Sequence, residues 1–277
     1  MSKTGAPNDG GSHVQGKSAH DQLERHPDRS PGRLGATGQY LNETIVPAMA
    51  IINAGYDLVL ATPDGTKPHI DEASDSAQHF EGDEAAYARA KAFYADDRSM
   101  NDVRTLHSII EEGLDRYAGV FVPGGQAPVV DLMQDPDLGR ILRHFHDRAL
   151  PTALLCHGPI AVVSAMPNAR DFRAALIDGD TAKAAELAKD WPYAGYRMTV
   201  FSASEEKVVE DVILHAKMYF TMPDALRAAG GDVVTTEVDF EPHVVVDREL
   251  ITGQNPRSDH PIAAAFVKAL DGTMVAA

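Results

Sequence analysis

The apolar residues of the chain fall into short blocks whose spacing alternates between that of helices and that of strands. The polar residues Asn42-Glu43-Thr44 precede IVPAMAIINAG (45–55), where apolar residues recur at helical spacing up to the terminal Gly55. The next segment, YDLVLATP (56–63), is short, rich in Val and Leu, and followed by Asp-Gly. We therefore predict a helix and then a buried strand.

The same alternation continues to the end of the chain. AGVFVPGGQAP (118–128) predicts a strand that ends in a glycine-rich turn, and the helical segment DLGRILRHFHDRAL (137–150) follows it. TALLCHGPIAVVSAM (152–166) predicts a strand, a tight turn and a helix, and YRMTVFSASEE (196–206) predicts a strand that leads to an acidic turn. A further strand segment, HVVVDRELITGQ, precedes a final helix. Together these elements predict an α/β fold with a mostly parallel central sheet flanked by helices.

Three regions interrupt this pattern. Residues 69–117 and 168–195 are long, more polar and mostly helical in character, so we predict helical insertions there that form a cap. Residues 1–35 are rich in Gly, Ser, Pro, Asp and His and have almost no periodic apolar residues, which predicts a flexible polar tail. The expected organisation is this tail followed by one α/β domain over residues 36–277.

Composition and charge exclude several classes of function. Of the 277 residues 44% are hydrophobic, and 25 Lys and Arg against 41 Asp and Glu give a formal net charge of −16. This charge argues against a nucleic acid or an anionic membrane surface as the partner. No run approaches the roughly 18 apolar residues of a transmembrane helix, and the first residues lack the apolar core of a secretory signal. A cytoplasmic protein is expected.

The single cysteine, Cys156, carries the strongest chemical signal. One cysteine excludes an internal disulfide, a cysteine-based zinc site and a CxxC redox motif. Cys156 follows the apolar segment 153–155, and Gly158-Pro159 open the next predicted helix. This order is typical of a nucleophile elbow, where a helix N-terminus lowers the pKa of a thiol. The alternative is a buried cysteine that acts only as a small apolar residue.

Three predicted loops bring polar groups to the carboxyl edge of the sheet, where ligands bind in open parallel sheets. His157 can orient or deprotonate the thiol, and Glu205 and Glu206 are candidates for the acid that holds the imidazole. The same two glutamates can instead cap the helix that begins there. The backbone N–H groups of Gly124 and Gly125, with that of His157, could form an oxyanion hole.

Taken in order, these motifs resemble those of the ThiJ/PfpI superfamily. The resemblance rests on a helix start with Glu43, then AGVFVPGGQAP, LLCHGP and TVFSASEE, and it spans roughly residues 40–270. It is nearest to the branch of heat-shock chaperones and glutathione-independent glyoxalases (glyoxalase III). It implies a class I glutamine amidotransferase-like fold, a flavodoxin-like sandwich with helical cap insertions.

The resemblance also implies a set of site residues. They are the nucleophile Cys156, the neighbouring His157, the triad acid Glu206 with Glu205 as the fallback, the acid hydrogen-bonded to the thiol, Glu43, and the paired glycines Gly124 and Gly125. Some members bind a structural metal through two histidines and a glutamate. The corresponding positions here are Ile52 and Asp57, so no metal is predicted.

The function implied by the resemblance is a cofactor-free conversion of small 2-oxoaldehydes, such as methylglyoxal to D-lactate, by a cytoplasmic homodimer. In that reaction Cys156 adds to the aldehyde and Glu43 moves the protons. One alternative is a hydrolase (a deglycase, amidase or peptidase) that uses the same cysteine. Another is a holdase chaperone or a redox-sensing stress protein. The two helical insertions favour a covered cleft, and therefore the small substrate.

Overall fold

The strands of the structure are short and lie between residues 61 and 253. The computed structural model describes residues 38–214 and 217–276, so the predicted tail over residues 1–35 lies outside the described residues. Its strands are β1 (Ala61–Thr62), β2 (Arg104–Thr105), β3 (Val120–Val122), β4 (Thr152–Leu155), β5 (Arg197–Met198), β6 (Asp232–Val233), β7 (Val244–Asp247) and β8 (Leu250–Gly253).

Helices occupy most of the sequence between these strands. They are α1 (Leu41–Asn53), α2 (Glu84–Asp96), α3 (Arg98–Asn101), α4 (Leu106–Glu112), α5 (Ala127–Val130), α6 (Pro136–Asp147), α7 (Ala169–Ile177), α8 (Thr181–Leu187), α9 (Ala203–Val209), α10 (Met222–Ala228) and α11 (Asp259–Ala276). A 3₁₀ helix covers Gly158–Ala165, where the sequence predicts an α-helix. Within the described residues no helix is both long and apolar enough to span a bilayer.

A four-stranded sheet with the order β3-β4-β8-β7 forms the centre of the structure. Strands β3, β4 and β8 are parallel, and β7 joins the edge of β8 as the antiparallel arm of a hairpin. Two further parallel pairs, β1 with β2 and β5 with β6, flank it. The predicted α/β fold with a parallel-rich sheet flanked by helices is confirmed.

Strand β4 is buried on both faces, as expected for a central parallel strand. Its side chains alternate: Ala153 and Leu155 pack in the cluster that contains Phe266 of α11, while Leu154 packs in the cluster that contains Phe145 of α6. The strand is therefore covered by helices on both sides. Its carboxyl end is the place where the next residue, Cys156, leaves the sheet.

The predicted buried strand over residues 56–63 is wrong for most of its length. Only Ala61–Thr62 form a strand, and Val59 is 44% exposed. The Leu60 carbonyl accepts a hydrogen bond from the Arg104 N–H over 2.9 Å, so the segment pairs with β2 and not with the central sheet. Leu58 and Leu60 are still partly buried against the cluster that contains Leu41 and Ile45.

The two predicted helical insertions contain helices in the structure. Helices α2, α3 and α4 lie within residues 69–117, and α7 and α8 lie within residues 168–195. The first region also contains β2, a strand that the sequence does not predict. The division into one domain with two insertions stays a prediction.

Candidate active site

Cys156 lies on a sharp turn directly after β4. Its backbone φ is 60°, in the left-handed region that costs about 1–2 kcal/mol for a residue with a Cβ. Two backbone hydrogen bonds hold the turn: the Cys156 N–H donates to the Gly253 carbonyl over 2.8 Å, and the Phe201 N–H donates to the Cys156 carbonyl over 2.9 Å. This is the strained strand-to-helix turn of a nucleophile elbow.

The side chain of His157 links Cys156 to Glu206. Its Nδ1 lies 3.3 Å from Cys156 Sγ, and its Nε2 lies 2.7 Å from Glu206 Oε2. A carboxylate only accepts hydrogen bonds, so Nε2 carries the hydrogen and Nδ1 presents a lone pair to the thiol. All three residues are at most 3% exposed. The order of thiol, imidazole and carboxylate is the arrangement that general-base activation of a nucleophile requires.

The neighbouring glutamate, Glu205, has a different position and a structural role. It forms a capping box with Ser202 at the start of α9. Its Oε1 accepts hydrogen bonds from the Phe240 N–H at 2.7 Å, Asn255 Nδ2 at 2.8 Å and Gln254 Nε2 at 3.2 Å. Of the two interpretations of the acidic turn, helix capping therefore applies to Glu205. Contact with the imidazole of His157 applies to Glu206.

Glu43 lies in the first turn of α1 and is completely buried beside the thiol. Its Oε2 accepts a hydrogen bond from the Gly124 N–H over 3.0 Å, and its side chain hydrogen-bonds to Cys156. Its Oε1 is buried with no hydrogen-bond partner among the described residues. Burial raises the pKa of Glu43 to about 8, although the bonds from Cys156 and Gly124 lower it in part. At neutral pH this acid is mainly protonated.

The pKa of the Cys156 thiol is raised, which is opposite to the expectation from a helix N-terminus. Burial is the largest cause, and the nearby Glu43 carboxyl group adds to it. A hydrogen bond from the Gly125 N–H acts in the other direction and is outweighed. The resting sulfur is therefore a protonated thiol, and its proton must be removed as it reacts.

Gly124 is a site where only glycine fits. A Cβ at this position would lie 2.6 Å from Cys156 Cβ and 2.7 Å from the Leu155 carbonyl oxygen, and it would also collide with Glu43. The Gly124 N–H already donates to Glu43. Of the two glycines, Gly125 is therefore the one whose N–H is directed at the sulfur, and the oxyanion hole stays a prediction.

Two residues near the thiol were missed by sequence reasoning. Gln126 places its Nε2 3.3 Å from Glu206 Oε1. Tyr40 is the residue at the N-cap position of α1, and the pKa of its hydroxyl is raised by burial and then by the nearby Cys156. The positions of both residues in the sequence could have indicated that they lie near the site. Gln126 directly follows the glycine pair, and Tyr40 lies three residues before Glu43.

Two histidines of the first predicted insertion, His79 and His107, contact other protein groups. His79 Nε2 lies 3.0 Å from the Ala73 carbonyl oxygen, and His107 Nδ1 lies 3.1 Å from Asp137 on the surface. Across the described ranges, no three His, Cys, Asp or Glu side chains are grouped as a metal site would require.

Comparison with known proteins identifies relatives of the whole arrangement. Residues 36–170 match the sequence model of the DJ-1/PfpI family. A relative from Staphylococcus aureus, named protein/nucleic acid deglycase HchA, is 26% identical over 257 residues, which span 88% of this chain and 76% of the relative. The similarity thus extends well beyond the segment that contains the elbow.

Two solved structures share the fold. The glyoxalase III of Candida albicans is 19% identical with a TM-score of 0.60, covering 84% of this chain and 88% of the other. The Rapid Encystment Protein 24 kDa of Francisella tularensis is 22% identical with a TM-score of 0.65, covering 85% and 91%. At these identities the likeness shows the flavodoxin-like fold.

Proposed function

We propose that this chain, whose residues 36–170 match the DJ-1/PfpI family, is a cofactor-free, cysteine-dependent enzyme that converts small 2-oxoaldehydes to 2-hydroxy acids. Methylglyoxal would give D-lactate. The observation that supports this reaction is a protonated carboxylic acid, Glu43, hydrogen-bonded to the thiol of Cys156. An isomerisation of this kind needs a group that protonates the first alkoxide, then takes the proton from that carbon and returns it to the adjacent carbon.

The first step is the addition of Cys156 Sγ to the aldehyde carbon. His157 Nδ1, 3.3 Å from the sulfur, accepts the thiol proton, and the resulting imidazolium is stabilised by Glu206. Glu43 gives its proton to the forming alkoxide, and the product is a hemithioacetal. Glu43 is now a carboxylate in a buried site, where it is a stronger base than in water.

The second step moves a hydrogen between the two former carbonyl carbons. The Glu43 carboxylate removes the C–H proton of the hemithioacetal, and the imidazolium of His157 protonates the neighbouring ketone oxygen to give an enediol. Glu43 then returns its proton to the second carbon while His157 takes the proton of the first hydroxyl. A thioester results, and water hydrolyses it to the 2-hydroxy acid and the free thiol. One water is consumed, with no net oxidation.

A second candidate is a deglycase, which the name of the Staphylococcus aureus relative favours. The same nucleophile would add to the sugar-like adduct on an amine, and the amine would leave before hydrolysis. This reaction needs room for a macromolecule at Cys156, whereas the residue is 2% exposed. The small aldehyde therefore suits the geometry better. A homodimer in the cytoplasm stays a prediction.

The deciding experiment is turnover of methylglyoxal and glyoxal by the full chain, with D-lactate from methylglyoxal measured directly. Production of D-lactate that is lost in Cys156→Ala supports the proposal. Release of amine from glycated substrates without D-lactate formation would establish the deglycase in its place.

A further inference from the structure

We propose that Gln126 is a positioning residue, which holds Glu206 and through it His157 in line with Cys156. None of the chemical steps above uses Gln126. Its inferred effect on catalysis rests on the proposed function, but its effect on the reactivity of the thiol does not. Gln126 is the first residue after the glycine pair and is 8% exposed.

The geometry gives each oxygen of the Glu206 carboxylate its own donor. His157 Nε2 lies 2.7 Å from Oε2, and Gln126 Nε2 donates to Oε1 over 3.3 Å. A buried carboxylate with a donor on each oxygen cannot rotate freely about its last side-chain bond. Since Glu206 is carried by α9 and Gln126 by the glycine turn, the amide connects two loops of the site.

The amide oxygen of Gln126 argues against a role in packing alone. Gln126 Oε1 is buried and has no hydrogen-bond partner among the described residues, which disfavours an amide at this place. A methionine would fill a similar volume without an unsatisfied oxygen. The nitrogen atoms of Gln126 and His157 also lie 3.3 Å apart, and because both carry hydrogens this contact is not a hydrogen bond. The hydrogen bond to Glu206 is thus the contact that accounts for a glutamine at position 126.

The substitution Gln126→Met distinguishes a positioning role of Gln126 from a packing role. The variant removes the unsatisfied buried oxygen of Gln126 but leaves Oε1 of Glu206 without its donor, so the two effects oppose each other and the thermal midpoint should change little. Its kcat for methylglyoxal should fall about tenfold with little change in KM, as expected for the loss of one hydrogen bond to a charged group. The pH profile of Cys156 alkylation by iodoacetamide, followed by intact mass, should move toward that of His157→Ala. The matched control is Gln134→Met, whose glutamine donates only to the Val130 carbonyl over 3.3 Å.

An alkylation profile of Gln126→Met identical to wild type would overturn the proposal. So would a loss of stability with unchanged reactivity, which is the signature of a structural residue. If wild type fails to turn over methylglyoxal, the proposed function fails while the alkylation profile still decides the role of Gln126. Should Gln126→Met not fold, Gln126→Asn keeps the amide on a side chain too short to reach Glu206, and the same alkylation shift is expected.

Discussion

The backbone N–H of Gly124 donates a hydrogen bond to Oε2 of Glu43 over 3.0 Å. The glycine turn therefore holds the buried acid beside the thiol, while the next N–H, that of Gly125, is directed at the sulfur. This contact joins the first helix of the domain to the turn after β3, across 81 positions of sequence. The proton chemistry proposed for the site depends on this contact.

Gly124→Ala should disable the site. Its Cβ would lie 2.6 Å from that of Cys156, so the turn or the elbow must move and Glu43 must leave its place. Overpacking of this kind costs about 1–3 kcal/mol of unfolding free energy. We expect a lower midpoint in urea and methylglyoxal turnover reduced at least about a hundredfold, since misplacement by about 1 Å has that effect. Gly272→Ala, where a Cβ meets nothing within 4 Å, is the control.

Glu43 makes the stability of the fold depend on pH. Its pKa is about 8 in the folded state against 4.5 ordinarily, so between these values the folded state binds more protons than the unfolded state. The stabilisation is complete below pH 4.5 and is lost as the pH rises toward 8, by at most about 1.4 kcal/mol per pH unit. In urea titrations at several pH values, Glu43→Gln should flatten this decline. A variant as steeply pH-dependent as wild type would contradict the burial argument.

Glu205 and Glu206 form a matched pair of buried neighbours with opposite expected phenotypes. Glu206→Gln should lower kcat by about a hundredfold through loss of general-base support, with a small change in thermal midpoint. Glu205→Gln should lower stability by about 2 kcal/mol or more, because one carboxylate oxygen accepts three hydrogen bonds and the other accepts from the Ser202 N–H over 2.8 Å, where an amide NH2 group cannot accept. Activity per folded molecule should survive. Equal losses of activity in both variants would refute the assignment of a catalytic role to Glu206 and a structural role to Glu205.

The reactivity of Cys156 should report its raised pKa. Burial is the main cause, followed by the Glu43 charge, so alkylation by iodoacetamide should be slow at pH 7 and rise steeply above pH 9. Glu43→Gln removes the charge and should shift the profile to lower pH. The variant still offers an oxygen to the Gly124 N–H, so the fold is retained. A profile shifted to higher pH would show that Glu43 favours the thiolate.

The electrostatic surroundings of the thiol disfavour anionic substrates. Burial is the largest cause of the raised pKa of Cys156, and the charges of Glu43 and Glu205 raise it further. Asp259 in turn adds to the raised pKa of Glu43. A carboxylate beside the aldehyde would be repelled by these acids in their ionised forms. Glyoxylate should therefore inhibit weakly, with an inhibition constant at least about tenfold above the KM of glyoxal. The inhibition should weaken further as the pH rises through 8 and Glu43 ionises. Tight inhibition by glyoxylate would contradict this account.

Local sequence patterns predicted much of the site. The apolar run that ends at Cys156, followed by Gly158-Pro159, corresponds to β4, the elbow and the next helix. The capping signal at Ser202 corresponds to the start of α9, which places Glu206. These features depend on residues within a few positions of one another, so periodicity and turn chemistry are sufficient to find them.

The same methods failed where a contact joins distant residues. The segment 56–60 has the composition of a buried strand, yet it pairs at the edge with β2 because pairing partners are chosen by the whole fold. Gln126 has an ordinary turn position in the sequence, and only its approach to Glu206, 80 positions away, gives it significance.

The sequence by itself determined the α/β class, the first helix with Glu43 in its opening turn, and the strand–turn–helix that carries Cys156. Tertiary structure alone decided which glutamate meets His157, that Gly124 binds Glu43, and that burial keeps both Glu43 and the thiol protonated. The physical reason is that helical and strand periodicity are local, whereas desolvation and hydrogen-bond partners are set by groups brought together from distant parts of the chain.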